Sequence, residues 1–272
     1  GQKTVRAKEE SEKKKEAQKA AKSTAESQKA KSTDDTDPAR LKRKLPVLEM
    51  TGASGTTDKS GTANSILKDE IGNLNQITGF VPDDSVAKSV TITYRPESTV
   101  YVAERYGVFY EDDTWKDIEH SGKDDEEEMW EHMEDYLSCP TDLQKLTRYY
   151  IEEIGGIDGE WKDSKSEIEA IRKKICEALW ELAVYDTEPG ATPAGKDFVE
   201  YFLFENRKGF CVHFASAGTL LFRLAGKEAR YAEGYAVPAS AFEEQEDGTY
   251  QAQISGAMGH AWCQVWCLDD GY

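Results

Sequence analysis

Large apolar side chains are nearly absent from residues 1–37, which are built mainly of Lys, Glu, Ala, Ser, Gln and Thr. Such a segment has no face to bury, so a disordered or solvated helical arm is expected. Residues 52–61, rich in Gly, Ser and Thr, read as linker, and no fold is assigned to residues 1–80. The pattern changes at Val86. Val90, Ile92 and Tyr94 alternate with Thr91 and Thr93 until Pro96, as in a half-buried strand. Segments 99–102 and 108–110 are further short strand candidates, closed by Asp112, Asp113 and Trp115. Residues 81–137 therefore read as a small β-rich unit.

Helical periods follow. Thr141-Asp142-Leu143-Gln144 has capping-box spacing, and Leu143, Leu146 and Tyr150 form a stripe ahead of Gly155-Gly156. Ser164 and Glu167 repeat the box before Ile168, Ile171, Ile175, Leu179 and Leu182, which step by three and four along one face. Cys176 lies beside that stripe as packing. Segment 198–204 reads as a short aromatic helix before a turn at 206–209. A helix starting near Cys211 is apolar almost all round, through Phe214, Leu220, Leu221, Phe222 and Leu224 to Gly226, and is predicted to be buried. Segments 231–237, 249–254 and 260–268 read as strands, with a turn at 243–248. A helix followed by antiparallel strands predicts an α+β fold for 138–272.

Net charge narrows the partners. The chain carries −18, distributed as +6 over residues 1–45 and −24 over the remainder, so nucleic acid is an unexpected partner. The acidic run 124–128 lacks the alternating oxygen ligands and central glycine of a calcium loop. Five cysteines without regular spacing do not suggest a disulfide framework. No apolar run is long enough to cross a bilayer.

Candidate chemistry centres on Gly209-Phe210-Cys211. The turn delivers a cysteine to a helix start, where unpartnered N–H groups and the helix dipole favour a thiolate. His260 is the candidate base for acyl transfer. His213, two residues from Cys211, is turned about 200° away on a helix and reads as structural. His260, Cys263 and Cys267 cluster in sequence, but His260 and Cys263 are an odd number apart on a strand and point to opposite faces. No metal or cofactor is therefore expected. Cys263 and Cys267 read as core beside Val265, while Trp262 and Trp266 are expected to flank His260. Arg230, Tyr231 and Tyr235 are expected near the cleft.

Several ordered motifs resemble the transglutaminase-like superfamily, whose core is papain-like. They are Tyr185-Asp186-Thr187, Asp197-Phe198, Lys208-Gly209-Phe210-Cys211-Val212-His213-Phe214-Ala215, Ala229-Arg230-Tyr231, Gly234-Tyr235 and His260-Ala261-Trp262. Upstream, Thr99-Val100-Tyr101-Val102-Ala103 with Tyr106, Tyr110 and Trp115 is similar to the strand pair before the catalytic domain of bacterial membrane-anchored relatives. The resemblance implies a buried Cys-bearing helix packed on a sheet that carries the histidine. Cys211 would be nucleophile and His260 base, acting on peptide or protein amides, with an amine or water resolving the acyl-enzyme. It also implies an extracytoplasmic location, with membrane contact only through segments outside these residues. The superfamily completes its triad with an aspartate, expected here beyond Tyr272, because Asp269 and Asp270 precede Gly271-Tyr272 and do not match. The domain is thus expected to be truncated and its activity impaired. The alternative is a non-catalytic cell-surface interaction module of the same fold.

Overall fold

The computed structural model describes residues 49–52, 71–118, 129–155 and 164–267. Most of the arm and linker, the acidic run 124–128, Gly156 and residues 268–272, with Asp269 and Asp270, lie outside the described residues. The architecture is α+β, as expected. One antiparallel sheet has the order β11-β8-β3, formed by β11 (Gly259–Val265), β8 (Ala229–Val237) and β3 (Val100–Gly107). A second has the order β1-β2-β10-β9, formed by β1 (Glu49–Gly52), β2 (Val86–Ile92), β10 (Tyr250–Ser255) and β9 (Glu243–Glu244). Strands β2 and β3 of segment 81–137 thus join sheets with strands from the C-terminal third. Val90, Val102, Tyr235, Val237, Ala252 and Ile254 form one apolar cluster shared by β2, β3, β8 and β10.

Among the described residues five α-helices complete the fold: α1 (Met133–Leu137), α2 (Gln144–Tyr149), α3 (Lys165–Leu182), α4 (Phe198–Tyr201) and α5 (Cys211–Leu224). In α5 every residue except Phe214 and Leu224 is buried, which explains its all-round apolar pattern. Burying Leu220 and Leu221 contributes roughly 2 kcal/mol each. Its interior polar groups are satisfied. Trp115 Nε1 donates to Ser216 Oγ at 2.9 Å, and Thr219 Oγ1 donates to the Ala215 carbonyl at 2.9 Å. The α3 stripe buries Ile171, Ile175, Ala178 and Leu179 in the same core.

Helix starts differ from the capping boxes read in the sequence. Helix α2 begins without a side-chain cap of its own; Glu200 of α4 accepts the N–H groups of Lys145 at 2.6 Å and Leu146 at 3.0 Å. A box depends only on neighbours in sequence, whereas a carboxylate from another helix satisfies the same orphan donors. Ser164 sits at the N-cap of α3 but makes no capping bond. Its intended partner Glu167 pairs with the buried Lys227 at 3.0 Å. Asp197 caps α4, accepting the Glu200 N–H at 2.7 Å.

The hairpin of β4 (Phe109–Glu111) and β5 (Thr114–Lys116) turns through Asp112 and Asp113, both left-handed. That turn hands Asp113 Oδ1 to the N–H of Phe198 at 2.7 Å, tying the hairpin to α4. Asp113 and the half-buried Asp197 both accept from Tyr110 Oη, and burial pushes Asp197 up to about 6.

Candidate active site

A short parallel pair, β6 (Val184–Tyr185) with β7 (Lys208–Gly209), sets the entry to α5. The Asp186 N–H donates to the Gly209 carbonyl at 2.8 Å. Gly209 is required by close approach: a Cβ there would lie 2.6 Å from His213 Cβ and 2.7 Å from the Phe202 ring. Phe210 is extended, and Cys211 is the first residue of α5. His213 completes this start. Its Nδ1 accepts the Phe210 N–H at 3.4 Å, the role a Glu or Gln plays in half of a capping box. Its ring is buried among Phe198, Phe202 and Phe210, and that burial pushes its pKa down to about 3. The structural role expected of His213 is the one it has.

Helix α5 packs across β11 and β8 on the face carrying Ala229, Tyr231 and Ala261. The Cys211 thiol is 5% exposed and lies against the N–H of the peptide joining His260 to Ala261, which favours its ionised form. The N–H groups of Val212 and Cys211 act in the same direction, as a helix start should. Burial outweighs them and pushes the thiol up to about 11; the nearby Glu233 carboxylate adds to the rise. The thiolate expected from helix position alone is therefore not the resting form. The physical reason is desolvation, which the local sequence does not report.

His260 is the second residue of β11, opposite Gly234 of β8. Along β11, Ala261, Cys263 and Val265 pack with α5, whereas the His260 and Trp262 rings gather with Tyr101 of β3 at 5.9 and 5.1 Å. Partial burial lowers the His260 pKa below the ordinary imidazole value. Trp266 does not flank His260. It is buried with Val108, Ile118, Met129 and Tyr136, because the strand ends at Val265. Cys263 packs against the core and its thiol is pushed up to about 12. Arg230 lies 3.7 Å above the Tyr106 ring and donates to Gln264, while Tyr231 stacks on Trp115 inside the core. Tyr235 belongs to the cluster shared by the two sheets.

Two groups lie near the thiol that the sequence did not place there: Glu233, which no motif named, and Tyr185, which entered only as a motif residue. Glu233 faces Ala261 in register and is buried, accepting from Tyr231 Oη at 2.6 Å and pairing with Arg105 at 3.0 Å. Tyr185 lies beside the start of α5, its ring stacked on Phe214 with centroids 6.0 Å apart, and burial together with the neighbouring Cys211 raises its pKa. No spacing in the sequence predicted either approach, since both depend on strand pairing.

Residues 156–272 match the transglutaminase-like superfamily. This segment is a transglutaminase-like domain. It includes Cys211 and His260. A protein-glutamine gamma-glutamyltransferase of Pseudomonas aeruginosa is 36% identical over 88 residues, 32% of this chain and 12% of that protein. The Bacillus subtilis protein YebA is 33% identical over 92 residues, again 32% of this chain and 12% of the relative. The chain therefore matches about an eighth of the length of these relatives. The crystal structure of the periplasmic domain of Pseudomonas aeruginosa TgpA bound to ethylmercury aligns with 82% of this chain and 85% of its own, at 17% identity and a TM-score of 0.39.

Proposed function

We propose that the transglutaminase-like domain is a cysteine-dependent acyl-transfer enzyme acting on peptide or protein amides. Cys211 is the nucleophile and His260 the general base. The observation that carries this reading is the contact of the Cys211 thiol with the His260–Ala261 peptide at the start of a buried helix. Both groups rest neutral: burial raises the thiol and lowers the imidazole. In this reading the proton moves from sulfur to imidazole as attack begins rather than from a preformed ion pair; the His260 ring rests with Tyr101 and Trp262, and its approach to the sulfur is part of the proposal. The imidazolium then protonates the leaving amine, and an amine acceptor or water resolves the thioester. An extracytoplasmic site of action is part of this proposal.

Alkylation with iodoacetamide followed by mass spectrometry tests it. Cys211 should react ahead of Cys139, Cys176, Cys263 and Cys267 at neutral pH, and His260→Ala should slow that reaction. Neutral imidazole is the base, so reactivity should persist through pH 6.5 and fall only as the depressed His260 pKa is crossed. Equal labelling of all five cysteines would instead favour a non-catalytic interaction module, the reading to which the buried, high-pKa thiol lends its support.

A further inference from the structure

We propose that Phe80 is a positioning residue for the acyl-transfer reading, on which this inference rests: it braces the turn entering Cys211 against the turn entering His260. The Phe80 ring is partly buried against the core and stacks on Phe210, the residue before the nucleophile, with centroids 6.3 Å apart and planes inclined by 28°. The same ring lies beside Gly259, the residue before His260, where a Cβ would stand 3.9 Å from it. One side chain from outside the matched segment 156–272 thus packs next to the neighbours of both proposed reacting residues.

The backbone around Phe80 is tied at both ends. The Phe80 N–H donates to the Thr187 carbonyl at 2.8 Å, and the Gly190 N–H donates to the Thr78 carbonyl at 3.1 Å. Residues 187–190 follow β6, whose partner β7 leads into Cys211. At the far end the Ala257 N–H donates to the Asp83 carbonyl at 2.6 Å, and Ala257 lies in the turn Gly256–Met258 that leads into His260. Glycine permits both approaches. A Cβ at Gly79 would stand 2.9 Å from the Thr187 carbonyl oxygen, and one at Gly256 would stand 3.1 Å from the Asp83 carbonyl oxygen. Residues 80–83 can span at most about 14 Å, which caps the separation of the two anchors. The thiol proton reaches the imidazole only when both turns keep their spacing, and a displacement of about 1 Å can cost about a hundredfold in rate. Phe80 has no side-chain polar atom to offer the reaction, so it acts through Phe210 and Gly259.

The test uses the whole 272-residue chain as wild type, Phe80→Ala, His260→Ala and the double variant. Labelling of Cys211 by iodoacetamide is read by mass spectrometry from about pH 5 to about pH 9, with the other four cysteines as internal controls. In that reaction Sγ bonds to the methylene carbon, iodide leaves and the thiol proton passes to His260. F80A should label Cys211 about ten- to a hundredfold more slowly than wild type. In the H260A background the same change should have no effect, since no base remains to be positioned. The F80A rate should climb with pH throughout, where the wild type levels off above the His260 titration. Phe80→Leu, which restores apolar bulk, should regain most of the rate. Labelling of Cys263 in F80A would report lost packing of the core; Gly256→Ala, which crowds Asp83 and keeps Phe80, then carries the same comparison. Equal slowing in both backgrounds overturns the proposal, because the ring would then serve the fold or the thiol alone. An unchanged or faster Cys211 in F80A overturns it too, the faster rate marking residues 78–83 as an obstruction of the cleft. A wild type whose Cys211 labels no faster than the other cysteines, with or without His260, overturns the parent reading as well. Selective, His260-dependent labelling that F80A leaves intact removes Phe80 only.

Discussion

His213 illustrates how a residue near the nucleophile serves the site without taking part in its chemistry. Its Nδ1 holds the Phe210 N–H, and the aromatic rings around it exclude water. The folded-state pKa is depressed to about 3, so the native protein binds fewer protons here than the unfolded chain. Stability from this group is complete above the unfolded imidazole value and is lost as pH falls toward 3. The loss is on the order of 5 kcal/mol at the acid end. His213→Gln keeps an acceptor at the third helical position but does not titrate. Urea midpoints measured between pH 7 and pH 4 should fall less steeply for H213Q than for wild type. Parallel curves would remove His213 as the acid-labile group. Cys211 follows the opposite sign. Its raised pKa favours the protonated native state, so its contribution fades as pH rises from the ordinary thiol value toward 11.

At the scale of elements, the approach of β3 to β8 determines where His260 sits. Gly234 lies between Ala103 on one side and His260 on the other. A Cβ at Gly234 would come within 1.9 Å of the Val102 carbonyl oxygen and 3.0 Å of Ala103 Cα, both backbone atoms that cannot rotate away. Gly234→Ala should therefore cost more than about 4 kcal/mol and show as a collapsed thermal midpoint. Gly218 makes the contrast. In α5 its Cβ would meet only Cys263 Cβ, at an ordinary 3.8 Å. Gly218→Ala should be neutral or stabilise by up to about 1 kcal/mol through helix propensity. Equal losses in the two variants would show that the close strand approach is not what requires glycine at 234.

At the scale of the molecule, Arg223 joins segments far apart in sequence. From the last turn of α5 its guanidinium donates to the carbonyls of Ala229 (2.9 and 2.7 Å), Val108 (2.7 Å) and Ser138 (2.8 Å), and it lies 5.3 Å from the Trp115 ring. One buried fork thus holds β8, the approach to β4 and the end of α1 against the nucleophile helix. Its positive charge also complements the C-terminal end of the helix dipole. Arg223→Lys keeps the charge but loses the planar fork, stranding buried carbonyls. Chemical denaturation should show a loss of about 3 kcal/mol. A midpoint unchanged from wild type would show that the fork does not hold these segments together.

The sequence by itself determined the elements. The stripe from Ile171 to Leu179 and the apolar α5 are periodic patterns, and alternation marked β2, although that strand ends at Ile92 rather than Tyr94. The transglutaminase-like motifs singled out Cys211 and His260 because their flanking residues recur in order, which requires no knowledge of space. Only the tertiary structure decided the electrostatic state of the site. Burial that turns a helix-start cysteine into a neutral thiol is supplied by β8 and β11. Glu233 and Tyr185 are brought near Cys211 by strand pairings, β8 with β11 and β6 with β7. Glu200 capping α2 from another helix has the same origin. Local patterns encode which face of an element is apolar; desolvation and convergence of polar groups depend on what packs against that face, and this is settled by residues distant in the chain.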